Sequence, residues 1–225
     1  MTAVARAVVA LALVAAPLAA QAPGLPVHGG GFRQGVEAVA TIGWAGASSF
    51  TGDATTYALG LSYGSGRLGL SGTAGLVDPE ADASAATLGA LVSLLLVGNG
   101  VDTPFEVSIF GGYGWFDRAE PRVFIAREGL LRRDPPLGTP GNWRVLLGGS
   151  VAAAITTPYA SIRPWLAPRA ELFQLTVSDA TSDETRVAGS AGVDVRFPGG
   201  PGIRILWDKV DGYESTLGVG LSYRF

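Results

Sequence analysis

Apolar side chains recur at every second position along most of the chain, and this period of two restricts the possible folds more than any other feature. From Leu217 to Phe225, for example, Leu, Val, Leu, Tyr and Phe alternate with Gly, Gly, Ser and Arg. Successive side chains of a β-strand point to opposite faces, whereas a helix would scatter the same set around its axis. The pattern therefore predicts strands with one bulky apolar face and one face of small or charged residues.

Ten segments show this alternation, and they predict an all-β fold. The segments are approximately 34–45, 55–64, 67–77, 86–97, 104–115, 143–155, 162–175, 186–197, 202–209 and 216–225. Eight strands are the alternative if 202–209, which is short, or 34–45 is not a strand. Pro164 and Pro168 share one face of the seventh segment, where we expect a weakened ladder because proline has no backbone N–H to donate.

The first 22 residues have the three parts of a secretory signal peptide. Arg6 supplies the positive charge, Ala7 to Leu18 form the apolar run, and Ala20 to Ala22 have the small-x-small spacing of a cleavage site after Ala22. A membrane anchor is the alternative, but the run is shorter than the roughly 20 residues that a spanning helix needs. We expect a signal peptide, a flexible segment and one barrel domain at 1–22, 23–33 and 34–225.

The connections between the predicted strands alternate between short and long. The short ones are turn-like, as at Ser65 and Gly66, and the longest of the others runs from Phe116 to Asn142. Short turns at one end and long loops at the other are typical of outer-membrane barrels, with the short turns in the periplasm. The layout predicts a transmembrane antiparallel up-and-down β-barrel. We expect the longest loop to extend its hairpin; a plug in the lumen or a contact with lipopolysaccharide phosphates is the alternative.

Charged residues lie in mid-strand on the face opposite the large apolar residues. This set, predicted to form a lumen charge network, is Glu37, Glu106, Arg144, Arg163, Arg169, Glu171, Asp194, Arg196, Arg204, Asp208 and Arg224. Guanidinium and carboxylate groups inside a barrel can pair through charge-assisted hydrogen bonds. The alternative is a soluble barrel with the apolar face inside and the charges in water, but ten rows of bulky side chains would crowd one small lumen.

Aromatic residues cluster near both ends of the predicted strands. Trp44, Tyr57, Trp115 and Trp143 lie near the long loops, and Tyr63, Phe105, Tyr159, Phe197, Tyr223 and Phe225 lie near the short turns. Rings with one polar and one apolar side favour the headgroup level of a membrane. The placement predicts two aromatic girdles.

The last residues of the chain resemble the C-terminal assembly signal of bacterial outer-membrane β-barrel proteins. Gly220, Tyr223 and the terminal Phe225 match that signal, whereas Gly218 stands where a polar residue is usual. With the signal peptide and the strand pattern, the resemblance covers nearly the whole chain. It implies insertion by the barrel assembly machinery, a place in the outer membrane, and outer-membrane lipid and lipopolysaccharide as partners. It implies no particular ligand.

Little in the sequence points to catalysis. The only histidine is His28, in the flexible segment, and there is no cysteine. A histidine-dependent catalytic pair within the barrel is therefore not expected, and an acid pair such as Glu106 with Asp194 or Asp208 is more simply explained by partners among the arginines. Acidic loop residues could bind Ca²⁺ through carboxylate oxygens, although their spacing is not that of an EF-hand. These residues are Asp78, Glu80, Asp82, Asp179, Asp183 and Glu184.

The net charge of −3 leaves no basic surface for nucleic acid. We expect a non-enzymatic outer-membrane barrel with a structural or surface-interaction role, without a cofactor or metal. A narrow pore for small solutes and a soluble periplasmic ligand-binding barrel are the two alternatives.

Overall fold

The computed structural model describes residues 34–48, 52–79, 84–98, 104–116, 142–177, 180–211 and 215–225. The predicted signal peptide, the segment 23–33 with His28, and most of the loop from Phe116 to Asn142 lie outside the described residues. Within the described part, no helix is long and apolar enough to cross a membrane.

Eleven strands follow one another in the described part of the chain. They are β1 (Gly35–Ser48), β2 (Gly52–Ser65), β3 (Leu68–Pro79), β4 (Ala85–Val97), β5 (Phe105–Phe116), β6 (Asn142–Ala153), β7 (Ile155–Thr156), β8 (Ser161–Val177), β9 (Ala180–Arg196), β10 (Pro201–Val210) and β11 (Thr216–Arg224). β7 has only two residues and continues β6 against the same neighbour, β8. β6 and β7 therefore count as one strand, and the eleven elements form the ten strands of one sheet.

The sheet closes on itself. Strands that follow one another pair antiparallel, β1 pairs with β11, and β6 and β7 pair with β8. A sheet in hydrocarbon must close, because each unpaired backbone group there costs several kcal/mol. The prediction of an antiparallel barrel of about ten strands is confirmed, and eight strands is excluded.

The prolines of β8 explain why β6 stops and β7 begins. The register between β6 and β8 pairs Gly148 with Arg169 and resumes with Val151 and Leu166, so that the ladder is missing where Pro168 passes β6. It is missing again at Pro164, between the pairs Ala152–Trp165 and Ile155–Ile162. The ladder from β8 to β9 is continuous. The absent proline N–H groups therefore face β6, and the seam between β6 and β8 carries fewer hydrogen bonds than its neighbours.

Two long connections are shorter than the sequence pattern indicates. The predicted loop from Thr176 to Thr185 is mostly strand, because β8 runs to Val177 and pairs there with Ala180 of β9. Likewise β1 extends to Ser48, beyond a register shift, and pairs with Gly52. These extensions consist mostly of small and polar residues, so they lack the pattern of large apolar residues by which the other strand segments were identified.

The outward face of the sheet is apolar. Leu147, Val187 and Leu221 are 69%, 72% and 64% exposed, and the residues next to them in sequence face inward. Water would penalise so much exposed hydrocarbon, whereas acyl chains accept it. This orientation is that of a membrane-spanning barrel and is the reverse of a soluble barrel with an apolar lumen.

Candidate functional site

All eleven residues of the lumen charge network lie on the inward face of the sheet. Nine are buried, and Arg196 and Arg224 are half-buried. Their order along the strands divides them into two layers. On β8, for example, Arg163 lies toward the short turns, whereas Arg169 and Glu171 lie toward the long loops.

The short-turn layer is a chain of ion pairs that reaches from β5 to β1. Its first links join Glu106 to Arg163, with N···O distances of 2.5 and 2.9 Å, and Arg163 to Asp194, at 3.7 Å. Arg204 then bridges Asp194 and Glu37, at 2.5 and 3.0 Å.

Arg196 ends this chain by donating to Glu37 Oε2 at 2.7 Å. Glu37 is thus held by two guanidinium groups, one from β9 and one from β10. Three carboxylates and three guanidiniums are linked in this way.

The long-loop layer is centred on Arg169. Its guanidinium donates to both carboxylate oxygens of Asp208, at 2.8 and 3.0 Å, and to Glu171. Glu171 also accepts from Arg144 at 2.8 Å, and Ser190 contacts both Arg169 and Asp208. Two guanidiniums face two carboxylates, and hydrogen bonds of this charge-assisted kind offset the cost of burying them.

An apolar layer separates the two charged layers. Phe110, Leu146, Trp165 and Leu206 are each at most 6% exposed and pack together with Ala152 and Ala167. Trp165 lies between Arg163 and Arg169 on β8, and Leu206 lies between Arg204 and Asp208 on β10. Sequence reasoning missed this layer. Trp165 and Leu206 each lie an even number of positions from a charged residue of the same strand, which places them on the same inward face.

Inward glycines make room for the large side chains of this layer. A Cβ at Gly192 would lie 2.5 Å from the ring of Trp165. A Cβ at Gly148 would lie 2.6 Å from Cβ of Arg169 and 2.8 Å from Phe110. These glycines therefore let the apolar and charged layers reach across the lumen.

The inner wall of β2, β3 and β4 carries no charged side chain in the described part of the chain. Small and hydroxyl-bearing residues face inward there, and Thr56, Ala58 and Thr87 are at most 4% exposed. Nearer the short turns, a cavity of about 30 Å³ is lined by Glu37 and Arg204 together with serines and glycines of these strands. Such a volume holds about two water molecules.

The arrangement brings some of the proposed acid-pair residues together and separates others. Glu106 and Asp194 both contact Arg163, whereas Asp208 belongs to the other charged layer. Each of these carboxylates is bonded to a guanidinium, so its oxygens are already engaged in the ion-paired layers.

The predicted girdle residues lie on the outward face or in exposed turns. Trp44, Tyr63, Phe105, Tyr159 and Phe197 are exposed. The indole of Trp143 donates to Gln174 at 2.7 Å and stacks on Tyr113 with ring centroids 6.4 Å apart. Tyr57, Trp115 and Tyr223 are partly exposed, and Phe225 is 56% exposed.

Trp207 was missed as a girdle residue. It is 45% exposed and faces outward in the same row as Leu217 and Trp44. Trp207 lies one position from Asp208, so the alternation along β10 places it on the outward face and could have identified it.

The residues of the predicted assembly signal occupy both faces of β11. Gly220 faces the lumen, where a Cβ would collide with Thr41 and with the Ala40 carbonyl. Tyr223 and Phe225 face outward and pack edge to face, with centroids 5.0 Å apart. Their part in assembly remains a prediction.

The acidic residues considered for Ca²⁺ do not gather in the described part of the chain. Asp78 accepts a hydrogen bond from Ser84, Asp183 accepts one from Gln174, and Glu184 pairs with Arg186. Glu80, Asp82 and Asp179 lie outside the described residues.

Comparison with known proteins finds solved structures of similar fold at low sequence identity. No protein-family model matches the sequence. No curated protein matches it. Among solved structures, the β domain of the Bordetella autotransporter BrkA is 14% identical with a TM-score of 0.42, and covers 86% of this chain and 100% of its own.

Two further solved structures are similar at the same level. The translocator domain of the autotransporter NalP from Neisseria meningitidis is 12% identical with a TM-score of 0.38, over 88% of this chain and 90% of its own. The KdgM porin, solved with disordered oligogalacturonate, is 12% identical with a TM-score of 0.37, over 83% of this chain and 99% of its own. The barrel assignment rests on the strand pairing of the chain itself.

Proposed function

We propose that this protein is a non-enzymatic outer-membrane barrel with a structural or surface-interaction role, whose lumen is closed by its own side chains. The observation that carries the proposal is the stacking of two ion-paired layers on either side of the apolar layer at Phe110, Leu146, Trp165 and Leu206. Ions would have to leave water to pass that apolar layer, which is costly.

The place in the outer membrane is inferred from three features. The outward face is apolar, the sequence begins with a predicted export signal, and the chain ends with the predicted assembly signal. On this proposal the short turns face the periplasm and the long loops face outward, where they would meet lipopolysaccharide or other partners.

A narrow pore for small solutes is the second candidate. The cavity beside Glu37 and Arg204 favours it, because it leaves space inside the lumen along β2, β3 and β4. Thr56, Ala58 and Thr87 on the same wall oppose it, because they are at most 4% exposed and are therefore covered by other side chains. The third candidate, a soluble periplasmic barrel, would expose the apolar outer face to water.

Cell fractionation and planar-bilayer recording test the proposal together. We expect the mature chain in the outer-membrane fraction, extracted only by detergent, and no reproducible channels from the folded, purified protein. Double substitution of Trp165→Ala and Phe110→Ala removes most of the apolar layer and should produce measurable conductance. Steady channels from the unsubstituted protein would reject the closed lumen in favour of the pore, and release without detergent would reject the membrane location.

A further inference from the structure

At the short-turn end of the lumen, the inward-facing guanidinium side chains outnumber the carboxylate side chains of the described residues by one. Glu37, Glu106 and Asp194 are matched by Arg163, Arg196 and Arg204 in the ion-pair chain. Arg224 is a fourth guanidinium on the same inward face. It lies beside Glu37 in the register of β1 and β11, but Glu37 is already held by two arginines.

Two groups at this mouth have hydrogen-bond capacity that is not used within the described residues. The Arg224 guanidinium makes no hydrogen bond or ion pair there; only its backbone N–H is bonded, to the Gly200 carbonyl. Arg196 donates from Nη2 to Glu37, yet its Nε is buried without an acceptor. A buried donor left unpaired destabilises the folded state, so an acceptor at this position would be stabilising.

Glycines in the left-handed backbone region lie beside Arg224. Gly35, Gly199 and Gly200 have φ values of 84°, 89° and 106°, which side-chain-bearing residues rarely adopt. A Cβ at Gly35 would lie 3.4 Å from Arg224 Nε, so the absence of a side chain at Gly35 leaves that face of the guanidinium uncovered.

We propose that the short-turn mouth of the lumen is an oxyanion site, in which Arg224 and Arg196 together bind a phosphate group. Planar guanidinium groups bind phosphate oxygens through paired N–H···O bonds, and one anion would supply acceptors to both the Arg224 guanidinium and the unpaired Nε of Arg196. The phosphate comes from a free anion or from a phospholipid headgroup. That this mouth faces the periplasm and the inner leaflet rests on the orientation proposed above.

The test uses the full mature barrel, refolded in zwitterionic micelles and labelled with ¹⁵N at arginine side chains. Inorganic phosphate is titrated at constant ionic strength while the Nε–H resonances of Arg196 and Arg224 are followed. We expect saturable shifts in the unsubstituted protein, at least a fivefold weaker apparent affinity in R224Q, and partial retention in R224K. R186Q is the matched control, because Arg186 is paired with Glu184 at the long-loop end.

Two results would overturn the site: no saturable shift in the folded protein, or equal weakening in R224Q and R186Q, which would indicate general charge attraction. Repeating the titration in micelles of a phosphate-free glycoside detergent, with and without added phosphatidylglycerol, identifies the source of the phosphate. Binding of inorganic phosphate that persists in both preparations supports a free anion, and its loss with phosphatidylglycerol supports a headgroup already in place. These measurements do not use channel recording. A negative result for the phosphate site would therefore not contradict the proposal that the lumen is closed.

Discussion

The contribution of an ion pair to the stability of the barrel depends on how deeply its two side chains are buried. Asp208 accepts two bonds from Arg169 at a site where both side chains are at most 2% exposed. Glu184 pairs with Arg186 where the side chains are 38% and 29% exposed. Removing one partner of a buried pair leaves the other charge without compensation, whereas solvent replaces the partner of an exposed pair.

Asp208→Asn should therefore destabilise the folded barrel by about 3–5 kcal/mol, because it leaves the two buried guanidiniums of Arg169 and Arg144 with Glu171 as their one carboxylate partner in that layer. Glu184→Gln, the same chemical change at an exposed pair, should cost no more than about 1 kcal/mol. Urea unfolding of the protein in lipid vesicles measures both. Equal small losses would mean that water reaches the long-loop layer.

Glycine positions make a second prediction at this scale. Gly192→Ala places a methyl group 2.5 Å from Trp165 and should cost about 1–3 kcal/mol through overpacking. Gly189→Ala, on the outward face of the same strand, meets nothing within 4 Å and should be close to neutral. The same unfolding assay compares the two, and a neutral Gly192→Ala would show that Trp165 is not fixed in the lumen.

At the scale of elements, the seam between β6 and β8 is the place where the barrel departs from a regular ladder. Pro164 and Pro168 both face outward on β8 and withhold N–H groups from β6. Ion pairs cross the seam on its inner side, from Arg144 of β6 to Glu171 of β8 and from Arg163 of β8 to Glu106 of β5. These contacts tie β8 to the neighbouring strands where backbone bonds are missing.

Pro168→Val should restore a donor to the seam and stabilise the barrel by about 0.5–1.5 kcal/mol, the net value of one hydrogen bond. It should also slow amide hydrogen exchange in β6 around Gly149. Leu166→Val, a change on the same outward row that alters no backbone donor, is the control. A destabilised Pro168→Val would indicate that the proline ring, and not its missing N–H, determines the geometry of the seam.

The positions of the strands could be predicted from the sequence wherever the two faces of a strand lie in different environments. Lipid on one side and a polar lumen on the other produce the alternation at Tyr57 to Gly64 and at Leu217 to Phe225. The extension of β8 and β9 to Val177 and Ala180 consists mostly of polar residues, so its sequence does not predict a strand. The partners of the lumen charges were not predictable, because contacts such as Glu37 with Arg204 join residues 167 positions apart.

For the whole molecule, an apolar exterior around a filled lumen is compatible with one environment, a bilayer. A charge on the lipid-facing wall at mid-membrane costs about 2–4 kcal/mol. Leu147→Arg should show that cost in vesicle unfolding, because Leu147 is 69% exposed in the middle of β6. Tyr159→Arg, in an exposed turn, should be tolerated. Equal tolerance of both would place the outer face in water.

Cysteine accessibility along β2 tests the central claim most directly, because the chain has no cysteine of its own. Single substitutions at Ala58, Leu59, Leu61 and Ser62 alternate between the two faces. Outward positions Leu59 and Leu61 should react with a lipid-phase thiol reagent and not with an aqueous one, whereas Ala58, which is 0% exposed, should react with neither. Rapid aqueous labelling at Ala58 would contradict the filled lumen, and aqueous labelling at Leu61 would contradict the membrane-facing wall.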